Sequence, residues 1–300
     1  LFTIKNRLSR PAAVRDTGGM ILGYNTNGFA HHRLSDALEI IAELGYRGVA
    51  FTPDVNHADP TSDDYLRQSA TLSDTCERHG LRSIIETGSR FTLDTRKKHQ
   101  PTLISADPAD RRKRADFLSR HVVLASRELL HNRGGLGIIS FWSGAATDTA
   151  SSGERMKRLV DGCRLLADYA ADRDVRLAFE PEPGMFIDTM DTFAELHAKV
   201  NHPHFGLTLD IGHLVCQNEL PVGKHIEAWK HCLWNVHVED MRAGVHDHLL
   251  FGEGEVNFID VFAALKAIDY KGMVSVELSR HSYDAVNTAR KAKEFLDRYV

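Results

Sequence analysis

Residues 175–213 read VRLAFEPEPGMFIDTMDTFAELHAKVNHPHFGLTLDIGH, and the order of patterns within this stretch decides the fold. VRLAF at 175–179 is a short, nearly unbroken apolar run of the kind shown by a strand covered on both faces. EPEPG at 180–184 ends it, because proline cannot donate to a sheet ladder and the Pro-Gly pair marks a turn. Over 189–200 the apolar residues fall at helical spacing instead of alternating. FGLTLD at 205–210 is then a second buried run. Strand, helix, strand in this order describes a parallel pair joined by a crossover helix.

Outward from there the period does not break. Further apolar runs lie at residues 20–24, 48–51, 82–86, 136–141, 234–238 and 273–277, which makes eight candidate strands. Helical patterns fill the intervals at 34–44, 61–79, 108–130, 154–171, 189–200, 221–231, 258–268 and 284–299. Gly45, Gly80 and Gly272 stand where a helix end calls for a left-handed residue. Eight β-then-α units in strict alternation predict a single-domain (β/α)8 TIM barrel over residues 20–300, preceded by an extension at 1–19. A doubly wound sheet would want a glycine-rich phosphate loop after its first strand. The segment Gly23 to Gly28, GYNTNG, has no G-x-G-x-x-G.

Composition narrows the function. With 37 basic and 41 acidic side chains the net charge is -4, so no global field recruits a polyanion and no nucleic-acid partner is expected. The basic run Arg111 to Arg114 is expected on a solvated helix face. No stretch approaches the roughly 18 apolar residues of a membrane span, and no signal-like run opens the chain. Cys76, Cys163, Cys216 and Cys232 form no C-x-x-C pair, which points to reduced thiols and a cytoplasmic setting. Assembly with further copies of the chain is compatible with all of this. Seventeen histidines beside four cysteines favour imidazole and carboxylate chemistry over thiolate chemistry.

In a barrel of this type the chemistry sits where strands end. Glu180, Asp210, His237 and Glu277 stand at or near the ends of the last four strand runs. Singly, each carboxylate can cap a helix or join an ion pair. Together, three carboxylates on one mouth would repel one another without a cation. Two Glu, one Asp and one His suit one divalent ion such as Mn²⁺, Mg²⁺, Co²⁺ or Zn²⁺. His213 follows Asp210 by three residues, and His246 and His248 form an H-x-H pair that projects to one side only if extended. These three are candidates for a second metal ion or for substrate. Asn25, Glu86, Trp142 and Arg280 also end strands or follow them and are candidate substrate contacts, with His57 and His281 as weaker ones. The long basic loop over 87–107, carrying Arg90 and Lys98, reads as a lid for an acidic ligand or as a solvated excursion.

The succession FEPEPG at 179–184, LDIGH at 209–213, VHVED at 236–240, FGEGEVNF at 251–258 and VE at 276–277 resembles the xylose isomerase-like TIM barrel superfamily, and within it the sugar phosphate isomerase/epimerase group. The resemblance is strong over the C-terminal half and a matter of pattern over the N-terminal half. It implies that Glu180, Asp210, His237 and Glu277 are the metal ligands. It also implies that Glu180 and Glu277 move the proton in a metal-stabilised enediolate reaction on a keto-sugar, sugar phosphate or cyclitol. A dehydratase sharing the same proton abstraction is a second reading. A di-metal hydrolase of the endonuclease-IV-like branch is a third, with His213, His246 and His248 resembling its additional ligands and His246 standing where that branch has Asp. The histidines which that branch carries after strands three and four are absent here, where IETG and FWSG stand at 85–88 and 141–144. The arginine common in epimerases six residues after the strand-seven histidine is replaced by Ala243, beside Arg242.

Overall fold

A computed structural model describes residues 19–126 and 128–300. All of the expected extension except Gly19 lies outside the described residues. Strands β1 (Ile21–Asn25), β2 (Gly48–Phe51), β3 (Arg82–Glu86), β4 (Gly135–Phe141), β5 (Arg176–Phe179), β6 (Phe205–Asp210) and β7 (Leu233–Val238) run parallel, each paired with the next. A short antiparallel hairpin, β8 (Asp240–Arg242) with β9 (Val245–Leu249), follows β7. The last barrel strand, β10 (Met273–Val276), pairs with both β7 and β1 and closes the barrel. Closure leaves no open sheet edge.

Around it stand α1 (Leu34–Glu43), α2 (Tyr65–His79), α3 (Pro108–Ala125), α4 (Ser152–Ala171), α5 (Met190–Val200), α6 (Ile211–Cys216), α7 (Val222–Trp229), α8 (Phe258–Ala267) and α9 (Ala285–Leu296). Their apolar stripes pack on the outer strand faces, as where Phe193 of α5 stacks on Phe179 with ring centroids 6.0 Å apart. None of these helices is long and apolar enough to cross a membrane. All four cysteines are unpaired and buried.

The barrel interior changes character from bottom to top. At the bottom Met273 fills the axis against Ala50, Ile84, Ile138 and Ala178. Gly23 and Gly48 make room for it, since a Cβ on either would meet the Met273 side chain at 2.8 Å or less. Midway up the lining turns polar, with Ser140, Thr208, Asn235 and Ser275 all buried. At the mouth it is charged.

Several expectations are corrected. Helices α2 and α3 are shorter than their patterns, beginning at Tyr65 and ending at Ala125. Helix α6 and the hairpin are additions, too short to carry a periodic signal of their own. Gly45 and Gly80 are left-handed, but after α8 that role falls to Asp269 (φ 52°) instead of Gly272. Gly272 is needed for a different reason, because a Cβ there would collide with the Tyr270 hydroxyl. In the basic run Arg112 and Lys113 are exposed, whereas Arg114 turns inward and is buried over Trp142 (4.6 Å) and Phe117 (4.9 Å).

Candidate metal centre

The register of β6 and β7 sets Asp210 beside His237, and Glu180 and Glu277 follow directly after β5 and β10. One donor atom from each of these four residues lies within 4.8 Å of the other three. His237 is at the centre. Its Nδ1 is 3.1 Å from Glu180 Oε1, 3.0 Å from Glu277 Oε2 and 4.0 Å from Asp210 Oδ2. Its Nε2 is 2.9 Å from Glu86 Oε1, which also accepts from Asn235 Nδ2 at 3.1 Å. Asn27 Nδ2 donates to Glu277 Oε1 at 2.9 Å. Asp210 does two jobs: Oδ1 accepts the His213 N–H at 2.9 Å and caps α6, while Oδ2 is buried with no hydrogen-bond partner.

The electrostatics follow from burying several carboxylates around one imidazole. Burial, opposed by His237 and reinforced by Glu277 and Asp210, holds the Glu180 carboxyl well above the usual range. Burial also pushes Glu277 up, but His237, His248 and His213 outweigh it and its pKa is lowered. Burial disfavours the charged imidazole of His237, yet Glu86, Glu180 and Glu277 together hold its pKa well above normal. Glu182 is pushed up to about 8, by burial first and then by Glu277. The donors fit a divalent cation: three oxygen ligands and one imidazole, an orphaned Asp210 oxygen, and more negative charge than His237 alone can offset.

Beside this group stands the second set of imidazoles. Extension of β9 turns His246 and His248 to one side, and with His213 their donor atoms lie within 4.8 Å of one another. His213 Nδ1 donates to the Pro181 carbonyl at 3.0 Å, and its Nε2 is 3.1 Å from His246 Nε2. Burial, with His213 and His248 adding to it, pushes His246 down to about 4. Two neutral rings therefore face each other nitrogen to nitrogen.

A cavity of about 330 Å³ opens above both sets. Asn25, Glu86, Trp142 and Arg280 all line it, each held by the protein itself. Asn25 Oδ1 accepts from Asn27 N (3.0 Å) and Thr52 Oγ1 (2.8 Å), and Glu86 bonds His237. Trp142 is wedged between Arg114 and His99, and Arg280 pairs with Asp247 at 2.5 Å while donating to the His246 carbonyl at 3.2 Å. From the basic loop Arg90 and Lys98 reach the cavity wall. His57 lines it too, whereas His281 does not. Sequence reasoning places Asn27 at the mouth beside Asn25 but passes over Glu182 and Glu239. The signal for Glu239 is its place two residues after His237, which by strand alternation puts it on the same side.

A profile of the xylose isomerase-like TIM barrel family matches residues 38–299. The chain belongs to this family. Among its relatives, L-ribulose-5-phosphate 3-epimerase UlaE of Escherichia coli is 27% identical over 224 residues, 72% of this chain and 74% of that one. L-ribulose 3-epimerase of a Methylomonas species is 29% identical over 214 residues, 69% of this chain and 68% of that one. A shorter match, 29% over 136 residues, covers 44% of this chain and 46% of an uncharacterized protein of Methanocaldococcus jannaschii. The crystal structure of D-allulose 3-epimerase from a Methylomonas species superposes on the family member described here with a TM-score of 0.74 and 23% identity, over 94% of this chain and 98% of that one.

Proposed function

We propose that this protein is a divalent-metal-dependent isomerase or epimerase of a keto-sugar, sugar phosphate or cyclitol. The observation that carries the reading is the convergence of Glu180, Asp210, His237 and Glu277 within 4.8 Å, with Glu180, His237 and Glu277 lining a polar cavity. Relatives named as ketose and ketose-phosphate 3-epimerases support the substrate class.

The residues that would hold the ion are these four. When bound, a divalent ion polarises the substrate carbonyl and offsets the charge of the enediolate. The remaining work falls to the side chains. One of Glu180 and Glu277 takes the proton from the carbon beside the carbonyl, and the other returns a proton to that carbon or its neighbour. Asn27 steadies Glu277 through its Oε1, and Glu86 orients His237. Trp142 offers a face for the sugar, and Asn25, Arg280, Arg90 and Lys98 line the walls that receive its hydroxyls or an anionic end. Buried, unpaired cysteines support a reducing, cytoplasmic setting.

The test is a panel of ketoses, ketose phosphates and inososes incubated with Mn²⁺-loaded protein in D2O. Solvent deuterium in an epimerised or isomerised product is expected, and Glu277→Gln should abolish it while the fold is retained. A dehydrated product would reassign the same proton abstraction to a lyase. No deuterium and no product from any substrate would overturn both readings. The His213, His246 and His248 group favours one other reading, a di-metal hydrolase, for which the same preparation would cleave a simple phosphodiester.

A further inference from the structure

Behind the four-ligand group lies a carboxylate that the proton chemistry does not use. Glu239 is fully buried, and neither of its oxygens has a hydrogen-bond partner. It follows β7 two residues after His237, and its Oε1 occupies the space that a Cβ on Gly212 of α6 would take. Two further orphaned atoms face it. Asp210 Oδ2 is buried without a partner, and so is His248 Nδ1, which lies 3.9 Å from Glu239 Oε2. One donor atom from each of Asp210, Glu239 and His248 lies within 4.8 Å of the other two.

Two carboxylates buried together need either a shared proton or a counter-charge. Among the described residues the ion-pair partners of these two are histidines only: His213 and His237 for Asp210, His248 for Glu239. We propose that Asp210, Glu239 and His248 form a second divalent-cation site, with Asp210 shared between it and the four-ligand group. Two oxygens and one imidazole suit Mn²⁺, Co²⁺ or Zn²⁺. Ligands about 2.0–2.2 Å from such an ion sit roughly 3–4.4 Å apart, so donors already within 4.8 Å need only a small closing movement. This site differs from the three-imidazole group, although both draw on His248. The ion is assigned to the Glu239 side because the unpartnered atoms of Asp210, Glu239 and His248 are there, whereas His213 Nε2 and His246 Nε2 already face each other at 3.1 Å.

Occupancy of this site is read by metal content, without any sugar substrate. Protein loaded with excess Mn²⁺ and desalted is counted for bound metal by mass spectrometry against amino-acid analysis. Two ions per chain are expected in the wild type, one in Glu239→Gln, and two in His246→Gln, which alters the imidazole group but not the proposed site. One ion in the wild type overturns the proposal and leaves the carboxylates sharing a proton. Two ions in Glu239→Gln, or one in His246→Gln, also overturns it. If Glu239→Gln does not fold, electron paramagnetic resonance of Mn²⁺-saturated wild type and His246→Gln decides the matter. A coupled-pair signal is expected in both, and its absence from either refutes the site.

Discussion

Replacing Glu86 with alanine probes how far the proposed centre depends on the residue behind His237. Glu86 ends β3, is buried, and accepts from His237 Nε2 at 2.9 Å and from Asn235 Nδ2 at 3.1 Å. The first bond keeps a proton on Nε2 and leaves Nδ1, the nitrogen facing Glu180 and Glu277, to offer its lone pair to a cation. Alanine removes the acceptor, frees the ring to turn or change tautomer, and leaves the buried His237 Nε2–H unpaired and Asn235 Nδ2 with only a 3.5 Å bond to Thr208 Oγ1. Outer-shell partners of this kind are worth roughly 10- to 100-fold in metal affinity, about 1.4–2.7 kcal/mol. One effect runs the other way, because deleting the carboxylate charge lowers the proton affinity of His237 and makes that proton easier for a metal to displace. Glu86→Gln separates the two, since it removes the charge and keeps an acceptor oxygen. Calorimetric titration of Mn²⁺ into metal-stripped protein should give Glu86→Gln near wild-type affinity and Glu86→Ala at least about tenfold weaker binding. Alanine within about twofold of wild type, or glutamine weaker than alanine, would refute the argument that the hydrogen bond to Nε2 matters.

Two further predictions concern stability. His121 is buried between Phe117 and Tyr65, and burial pushes its pKa down to about 3, against a weaker opposing effect of its bond to the Phe117 carbonyl. The unfolded chain takes up this proton below about 6.5, so the stabilisation is complete above that pH and is lost as the pH falls towards 3. Between pH 7 and pH 5 the wild type should therefore lose about 2 kcal/mol more than His121→Gln in urea denaturation, and parallel losses would count against it. Gly134 has φ 103°, and a Cβ there would sit 2.5 Å from the Leu81 carbonyl oxygen, in the turn whose own carbonyl receives Ser83 N and Arg82 Nε. Gly134→Ala should cost about 2 kcal/mol or more by thermal denaturation, whereas Gly153→Ala, in open space on α4, should cost nothing. Equal melting points for the two variants would sink the backbone argument.

The barrel and the four residues that cluster at its strand ends were legible for one physical reason: a buried strand is an apolar run, so a polar or charged residue at its end stands out. Asp210 shows the limit of this logic, because its role as a helix cap is real and coexists with its place in the centre. The H-x-H pair was readable only conditionally. Whether His246 and His248 face the same way depends on β9 being extended, and that rests on pairing with β8, a three-residue strand with no pattern of its own. Arg114 misled because four consecutive bases read as solvent-facing, while helical rotation carries the fourth under Trp142. Glu239 escaped because each strand was read as ending in one functional residue.

The vertical gradient inside the barrel explains why the centre can be rigid while its specificity is free to change. Below, Met273 packs against apolar side chains and the gaps left by Gly23 and Gly48, so the axis is filled by apolar atoms. Above it, Asn235 and Glu86 form a polar layer that fixes one nitrogen of His237. The four clustered side chains stand on that layer and are carried by strand ends, whose positions the barrel's hydrogen bonds determine. The walls come instead from loops: Trp142 after β4, Lys98 and Arg90 before α3, and Arg280 after β10. Substitutions in those loops can reshape the cavity without moving the four clustered side chains, whereas a change at Glu86 or Asn235 reaches His237 through a single hydrogen bond. Selection for a new substrate should therefore alter the walls and leave the polar layer as it is.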